Sequence, residues 1–358
     1  MSVLTLPNPR LIQRLFHDYY EAAPRQQEAY ISSHWAYYSD QFKVELDEEG
    51  RIRALLGSGF GGMATRNPVE PLFVSVGHLS YLLQLPQRRE ILALMRAARP
   101  VCRAMGFFLS FDAFKQLCAL ALIRQWMSPA MSRRRLSVVV IGDGYGFLSA
   151  MVKTLYPTAM VALVDIGKTL LFQSVYCQRA HPAARHEGIT SATRAEDVRA
   201  SEHDFLYCPT EHLEALRGLR VDLAISIAAM QEMNAATVAR YFRFLRDRLH
   251  EEHLFYCCSR ARKTLRGGEV AVFDEYPWVP SDRHLVDEPC PWYRYACSFR
   301  TTGPGPRVWG LRVPFINYFG GQMRHRLSIL ATSSSVERAR ASAPALERAS
   351  GAAPGTPR

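Results

Sequence analysis

The stretch from Leu136 to Asp165, LSVVVIGDGYGFLSAMVKTLYPTAMVALVD, constrains the fold more than any other part of the chain. It opens on an apolar, β-branched run, Val138 to Ile141, which suits a strand buried on both faces of a parallel sheet. Gly142, Gly144 and Gly146 follow at every second position. Phe147, Leu148, Met151, Val152 and Leu155 then recur at helical spacing. A second apolar run, Met160 to Val164, ends on Asp165. The order strand, glycine turn, helix, strand, acid is half of a doubly wound sheet, so the spacing predicts a mostly parallel, Rossmann-like α/β core.

Such a turn carries ligand chemistry. Glycines there reach dihedrals closed to other residues and let a ligand lie against bare backbone. An acid closing the second strand can accept hydrogen bonds from ribose hydroxyls, the role expected of Asp165. A dinucleotide fingerprint, G-x-G-x-x-G, would need its third glycine at position 147, where the chain has Phe147. The observed G-x-G-x-G suits S-adenosylmethionine, whose amino-acid end crosses the loop without a phosphate. Gly142, Asp143, Gly144 and Gly146 are the expected cofactor contacts beside Asp165. An NAD-dependent oxidoreductase stands as the alternative user of the same unit.

Further along, Phe205 to Cys208 reads as a third strand whose end, Pro209-Thr210, is where an adenine ring would lie. Thr210 could equally be the N-cap of a helix over 211–217. A fourth strand, Val221 to Ile227, leads into AAMQEMN. Ligands in open α/β sheets sit beyond the carboxyl ends of the strands, so this loop and the glycine turn should border one crevice. Methyl transfer to an alcohol is mostly positioning, with a base to take the proton, and Glu232 is the ionisable residue in place for that. Its other reading is a surface acid favoured near a helix N-terminus. Asn234 reads as the N-cap of the helix that follows. His253 to Cys258 reads as strand five, Glu269 to Phe273 as a hairpin or edge strand, and Val308 to Phe319 as the last sheet strands. Asp274 to Trp278 and Asp282 to Tyr295 gather acids, His284 and aromatics beside prolines, a composition that can bind sugars or simply pack.

The runs IGDGYGFLSA, VDIGKTLLFQ, DLAISIAAMQEMN, YCCSR, GGEVAVFDEYPW and DEPCPWYRY together resemble the group described as sugar O-methyltransferases, within the class I S-adenosylmethionine-dependent methyltransferases. The likeness covers residues 137–295. It implies an O-methyltransferase acting on a hydroxyl of a sugar or glycosylated metabolite. Class I enzymes often place an acid two residues before the first loop glycine; here Val140 holds that position and Asp143 lies inside the loop. A catalytically silent methyltransferase-like binding protein is a third reading.

Composition excludes several classes. With 48% hydrophobic residues the 358-residue chain is an ordinary globule. Its longest apolar run, Leu117 to Ile123, is far short of the ~20 residues of a membrane span. No signal-peptide core is present near Asp18 and Glu21, so a cytoplasmic location is expected. The eight cysteines contain no C-x-x-C pair, which argues against zinc and predicts no metal. A net charge of +11 raises the question of nucleic acid, but the basic residues are mainly arginine, and four of those charges lie after Gly321. No basic stripe with interleaved aromatics accompanies them, so a small-molecule acceptor is expected and no nucleic-acid partner. The oligomeric state is not readable.

Residues 1–135 read as a mainly helical unit able to close over substrate, with Leu11, Leu15, Tyr19 and Tyr20 on one helix face and a strand pair near 42–56. Gly57, Gly59 and Gly62 formally match a dinucleotide pattern, but Asn67-Pro68 and Pro71 leave no helix to follow it. Helical patterning from Gly77 to Met127 is expected to break near Pro86 and Pro100. Residues 136–325 read as the cofactor-binding unit and 326–358 as a disordered tail.

Overall fold

The computed structural model describes residues 6–21, 30–49, 51–57, 68–69, 72, 82, 85–297, 304–313 and 316–337. Gly59 and Gly62 lie outside them, as does the chain beyond residue 337. The hairpin near the start pairs β1 (Lys43–Leu46) with β2 (Ile52–Leu56). The central sheet is built from β3 (Ser137–Ile141), β4 (Met160–Asp165), β5 (His186–Gly188), β6 (Phe205–Pro209), β7 (Val221–Ile227) and β8 (Leu249–Arg260). Smaller ribbons pair β9 (Arg262–Thr264) with β10 (Val270–Val272), β12 (Tyr295–Cys297) with β15 (Ile316–Tyr318), and β13 (Arg307–Val308) with β14 (Leu311–Arg312). Strands β11 (Arg283–Pro289) and β16 (Met323–Ile329) complete the central sheet, whose order is β11-β16-β8-β7-β3-β4-β6-β5. β16 runs antiparallel to both its neighbours, β11 and β8; the pairings from β8 to β5 are all parallel.

β3 forms in the middle because its four consecutive β-branched side chains find apolar surroundings on both sides. Val138 and Val140 enter one core, Val139 and Ile141 the other. Helices Phe147–Leu155 and Gly167–Ala180 cover the first face; helix Ala235–Arg248 covers the second. The first core also holds Leu11, Leu15, Phe114 and Leu117, so the segments before Arg135 are packed on the sheet itself. Asp222 fixes the entry to β3 by accepting from Arg134 at 2.6 Å and from the Ser137 amide at 2.7 Å.

Three details differ from the sequence reading. Helix Arg88–Met105 runs through Pro100 and stops at Gly106, which takes φ +81°. Proline inside a helix costs about 3 kcal/mol, but Ile91, Leu94, Ala98, Val101, Cys102 and Met105 stay buried along one face and hold the helix together. The last sheet strand is β16 rather than anything in 308–319, whose residues form the short β13–β14 and β12–β15 ribbons. The sheet therefore continues to Ile329, past residue 325, and residues 333–337 are helical. A hairpin, β9–β10, does occupy the Glu269 to Phe273 region. Among the described residues no helix is long and apolar enough to cross a membrane.

Candidate active site

A cleft of about 230 Å³ opens at the carboxyl ends of β3, β4 and β7, where the sheet reverses its winding order. Gly142 and Gly144 line it, with φ of +73° and +63°. Gly142 is required on a second count: a Cβ there would stand 2.2 Å from the Cβ of Ala229 in the turn after β7. The two neighbouring strands thus come together with no room for a side chain, which leaves main chain as the floor of the cleft.

The other two loop residues do different work. Gly146 (φ +84°) does not line the cleft; a Cβ there would meet Cys177 Sγ at 2.9 Å, so its bareness serves the packing of helix Gly167–Ala180. Asp143 is buried and turned inward. Its carboxylate accepts from the Leu148 and Ser149 amides at 3.0 and 2.7 Å, satisfying orphan donors of the next helix. Burial pushes its carboxyl up to about 7 against the pull of Ser149 and these amides. Asp143, expected from the sequence as a cofactor contact, does not line the cleft; its carboxylate is turned to the start of the helix.

Asp165 closes β4 and does line the cleft. One oxygen accepts from the Ile166 amide at 2.8 Å and the other from Gln173 Nε2 at 2.7 Å. A carboxylate has about four acceptor positions, so acceptor capacity is left for a hydroxyl on the cleft side. Burial raises its pKa to about 6, the Ile166 amide and Gln173 oppose the rise, and the charge of Glu232 adds to it. Thr210, by contrast, is away from the cleft. Its hydroxyl donates to the Asp165 carbonyl at 3.2 Å and shares a 2.5 Å hydrogen bond with the Tyr241 hydroxyl, stitching β4 to β6. Nor is it an N-cap, since Pro209 precedes the short 3₁₀ segment Thr210–Leu216.

After β7 the chain turns sharply. Ala228 adopts φ +59°, a left-handed conformation uncommon for a residue with a Cβ, while its amide donates to Cys258 at 2.7 Å. Backbone strain of this kind gathers at sites where geometry is imposed from outside. The turn delivers Glu232 to the cleft. Its side chain meets Lys263 Nζ at 2.5 Å and His34 Nε2 at 3.5 Å, and its backbone carbonyl accepts from the Ser32 hydroxyl. Burial pushes His34 toward its neutral form, against the attraction of Glu232 and with the repulsion of Lys263. Asn234 caps the following helix, accepting from the Thr237 amide at 2.8 Å, as its position suggested.

The remaining walls come from distant parts of the chain. Trp35, Asp112 and Gln116 contribute from the N-terminal segments, and Arg260, Tyr293 and Phe319 from the other end. Lys115, fully buried, binds them together: its ammonium pairs with Asp112 at 3.1 Å and lies 4.5 Å from the Tyr293 ring and 4.8 Å from the Phe319 ring. That pairing and these faces offset the cost of a buried charge.

Most of the acid and aromatic cluster turns out to be packing. Asp282 receives both arms of the Arg246 guanidinium at 2.7 and 2.8 Å, and Asp287 binds Arg324 and Arg326. Tyr276 and Trp278 stack among Phe242, Phe255 and Phe273, and Trp292 packs against His325. Only Tyr293 of that cluster reaches the cleft. His34, Lys263 and Asp112 carry no motif in the sequence that could have singled them out, and Arg260 stands there only as the end of the YCCSR run.

No family model and no curated protein matches the chain. Among solved structures it is similar to TrmN from Thermus thermophilus, at 17% identity over 60% of this chain and 48% of that one with a TM-score of 0.34. It is also similar to the mitomycin 7-O-methyltransferase MmcR, at 11% identity over 78% of each chain with a TM-score of 0.34. A mutant of MtNAS in complex with S-adenosylmethionine is a third such structure, at 11% identity over 74% of this chain and 80% of that one, TM-score 0.33. The chain spans about half the length of TrmN.

Proposed function

We propose that this protein is an S-adenosylmethionine-dependent O-methyltransferase. The observation that carries the reading is that the bare glycine floor, the Asp165 carboxylate and Glu232 border one cleft at the switch point of the sheet. The fit to the cofactor rests on Gly142 and Gly144, which leave main chain exposed, and on Asp165, whose remaining acceptor capacity suits a ribose hydroxyl. When bound, S-adenosylmethionine supplies an electrophilic methyl group. Glu232 takes the proton of the acceptor hydroxyl, and Lys263 holds its carboxylate in place. Positioning of the hydroxyl is the larger part of the work.

The acceptor is a sugar or glycosylated metabolite, a reading supported by the resemblance of residues 137–295 and by the mixed polar and aromatic walls around Asp112, Gln116, Trp35 and Tyr293. Residues 1–135 supply the cover over that acceptor and residues 136–325 the cofactor half of the site. The test is a transfer assay with methyl-labelled donor against an extract of the native host, followed by identification of the labelled product. A thermal-shift comparison of S-adenosylhomocysteine with NAD separates methyl transfer from hydride transfer, because only the true ligand stabilises by mass action. Stabilisation by NAD alone would overturn the reading. Cofactor binding without turnover would favour the silent binding protein.

A further inference from the structure

Two cations line the cleft, and they are not equivalent. Lys263 is answered by Glu232 at 2.5 Å. Arg260, the last residue of β8, forms no ion pair among the described residues: one arm donates to the Gly320 carbonyl, its plane lies 5.0 Å from the Phe319 ring, and its Nε is buried without a partner. Among the described residues the two arginines that are more than nine-tenths buried are both paired. Arg246 grips Asp282 with two bonds, and Arg326 meets Asp287 at 2.6 Å. Burial works against the charge of Arg260, with only Glu232 favouring it. A half-buried fork without its carboxylate is a ready receptor for a planar or tetrahedral oxyanion.

We propose that Arg260 receives a carboxylate or phosphate carried by the methyl acceptor, so that the acceptor is an acidic molecule. The position of Arg260 favours the acceptor over the cofactor. Gly142, Gly144 and Asp165 stand at the ends of β3 and β4, whereas Arg260 ends β8 beside Lys263 and the aromatic wall of Phe319. Its backbone amide is also tied to Gln231 Oε1 at 2.7 Å, one residue before Glu232. The anion receptor and the base are therefore fixed relative to each other, and an acid held on Arg260 would bring a neighbouring hydroxyl to Glu232. That the bound acid is the methyl acceptor, and that Glu232 is its base, rest on the methyl-transfer reading; the presence of an anion receptor at Arg260 does not.

The test is calorimetric titration of the full chain, saturated with S-adenosylhomocysteine, with glucuronate, glucose 6-phosphate and methyl glucoside. Charge-assisted pairing predicts that at least one acidic probe binds about 10- to 100-fold more tightly than the neutral one; which of the two does so tells carboxylate from phosphate. Arg260→Gln should abolish that preference and Arg260→Lys retain part of it, with S-adenosylhomocysteine affinity preserved in both. The lysine variant keeps the charge, and so guards against loss of fold in the glutamine variant. Equal binding of all three probes, no saturable binding of either acid, or a preference that survives in Arg260→Gln would each overturn the proposal. So would loss of S-adenosylhomocysteine affinity in that variant, which would make the cofactor's own carboxylate the anion. If S-adenosylhomocysteine fails to bind the wild-type chain, the methyl-transfer reading falls, and the same titrations on the unliganded protein still decide the anion site.

Discussion

Replacing Gly142 by alanine would place a methyl group 2.2 Å from the Cβ of Ala229 on a backbone held at φ +73°. Two penalties add. A side chain in the left-handed region costs about 1–2 kcal/mol, and forcing an extra carbon into a packed contact costs about 1–3 kcal/mol. Gly142→Ala is therefore expected to destabilise the fold by about 2–5 kcal/mol, a large share of the roughly 5–15 kcal/mol that holds a typical domain. The two penalties separate in a double mutant. Ala229→Gly removes the struck atom at a cost of about 0.5–1 kcal/mol in chain entropy, so adding it to Gly142→Ala should restore the packing part and leave only the strain. The expected coupling is about 1–3 kcal/mol, measured by urea unfolding followed by circular dichroism. S-adenosylhomocysteine affinity, read by calorimetry, should fall in the single variant and recover partly in the double one. A single variant within about 0.5 kcal/mol of wild type, or no rescue by Ala229→Gly, would refute the claim that the cleft floor is bare because the strand ends touch.

Other changes probe the rest of the site. Glu232→Gln is expected to lower turnover by about 100-fold or more while leaving S-adenosylhomocysteine affinity near normal; full turnover would remove Glu232 from the reaction. Because burial lifts Asp165 to about 6, its ionised form, the better acceptor of a hydroxyl, is lost as pH falls. S-adenosylhomocysteine affinity should therefore be flat above about pH 7 and decline below about pH 6, by up to about tenfold per unit. Asp165→Asn should be weak at every pH and show no such slope; an unchanged slope would assign the titration to another group. Asp282→Ala leaves the Arg246 guanidinium buried without its carboxylate, and unfolding should show a loss of about 3–5 kcal/mol. A loss below about 1 kcal/mol, the range of exposed pairs, would show that water reaches Arg246.

Much of the fold was legible because local pattern and tertiary environment agree. Four β-branched residues before Gly142 could only be a strand covered on both faces, and the helical spacing after Gly146 could only turn back across the sheet. Where they disagree, the pattern misled. Pro100 should end a helix, yet seven buried neighbours carry the helix through it. Asp143 looked like a ligand contact because it sits between glycines, and Thr210 because it follows a strand. Neither lines the cleft: Asp143 accepts from the Leu148 and Ser149 amides at the start of the next helix, and Thr210 meets the Tyr241 hydroxyl, a neighbour only in the folded chain.

The sequence by itself determined the doubly wound core, the glycine turn and the acid that ends the second strand, since each depends on residues within about 30 positions of one another, the span of a single strand-helix-strand unit. Only the tertiary structure decided what surrounds them. Asp112, Arg260, Lys263 and Phe319 are brought to one cleft, and His34 to Glu232, from segments more than 200 residues apart at the extremes, and their roles follow from who pairs with whom. Charge pairing is a property of distance in space, which falls off within a few ångströms and has no period along the chain. That is why Lys263, bound to Glu232, and Arg260, without an ion pair among the described residues, read alike as letters and differ as chemistry.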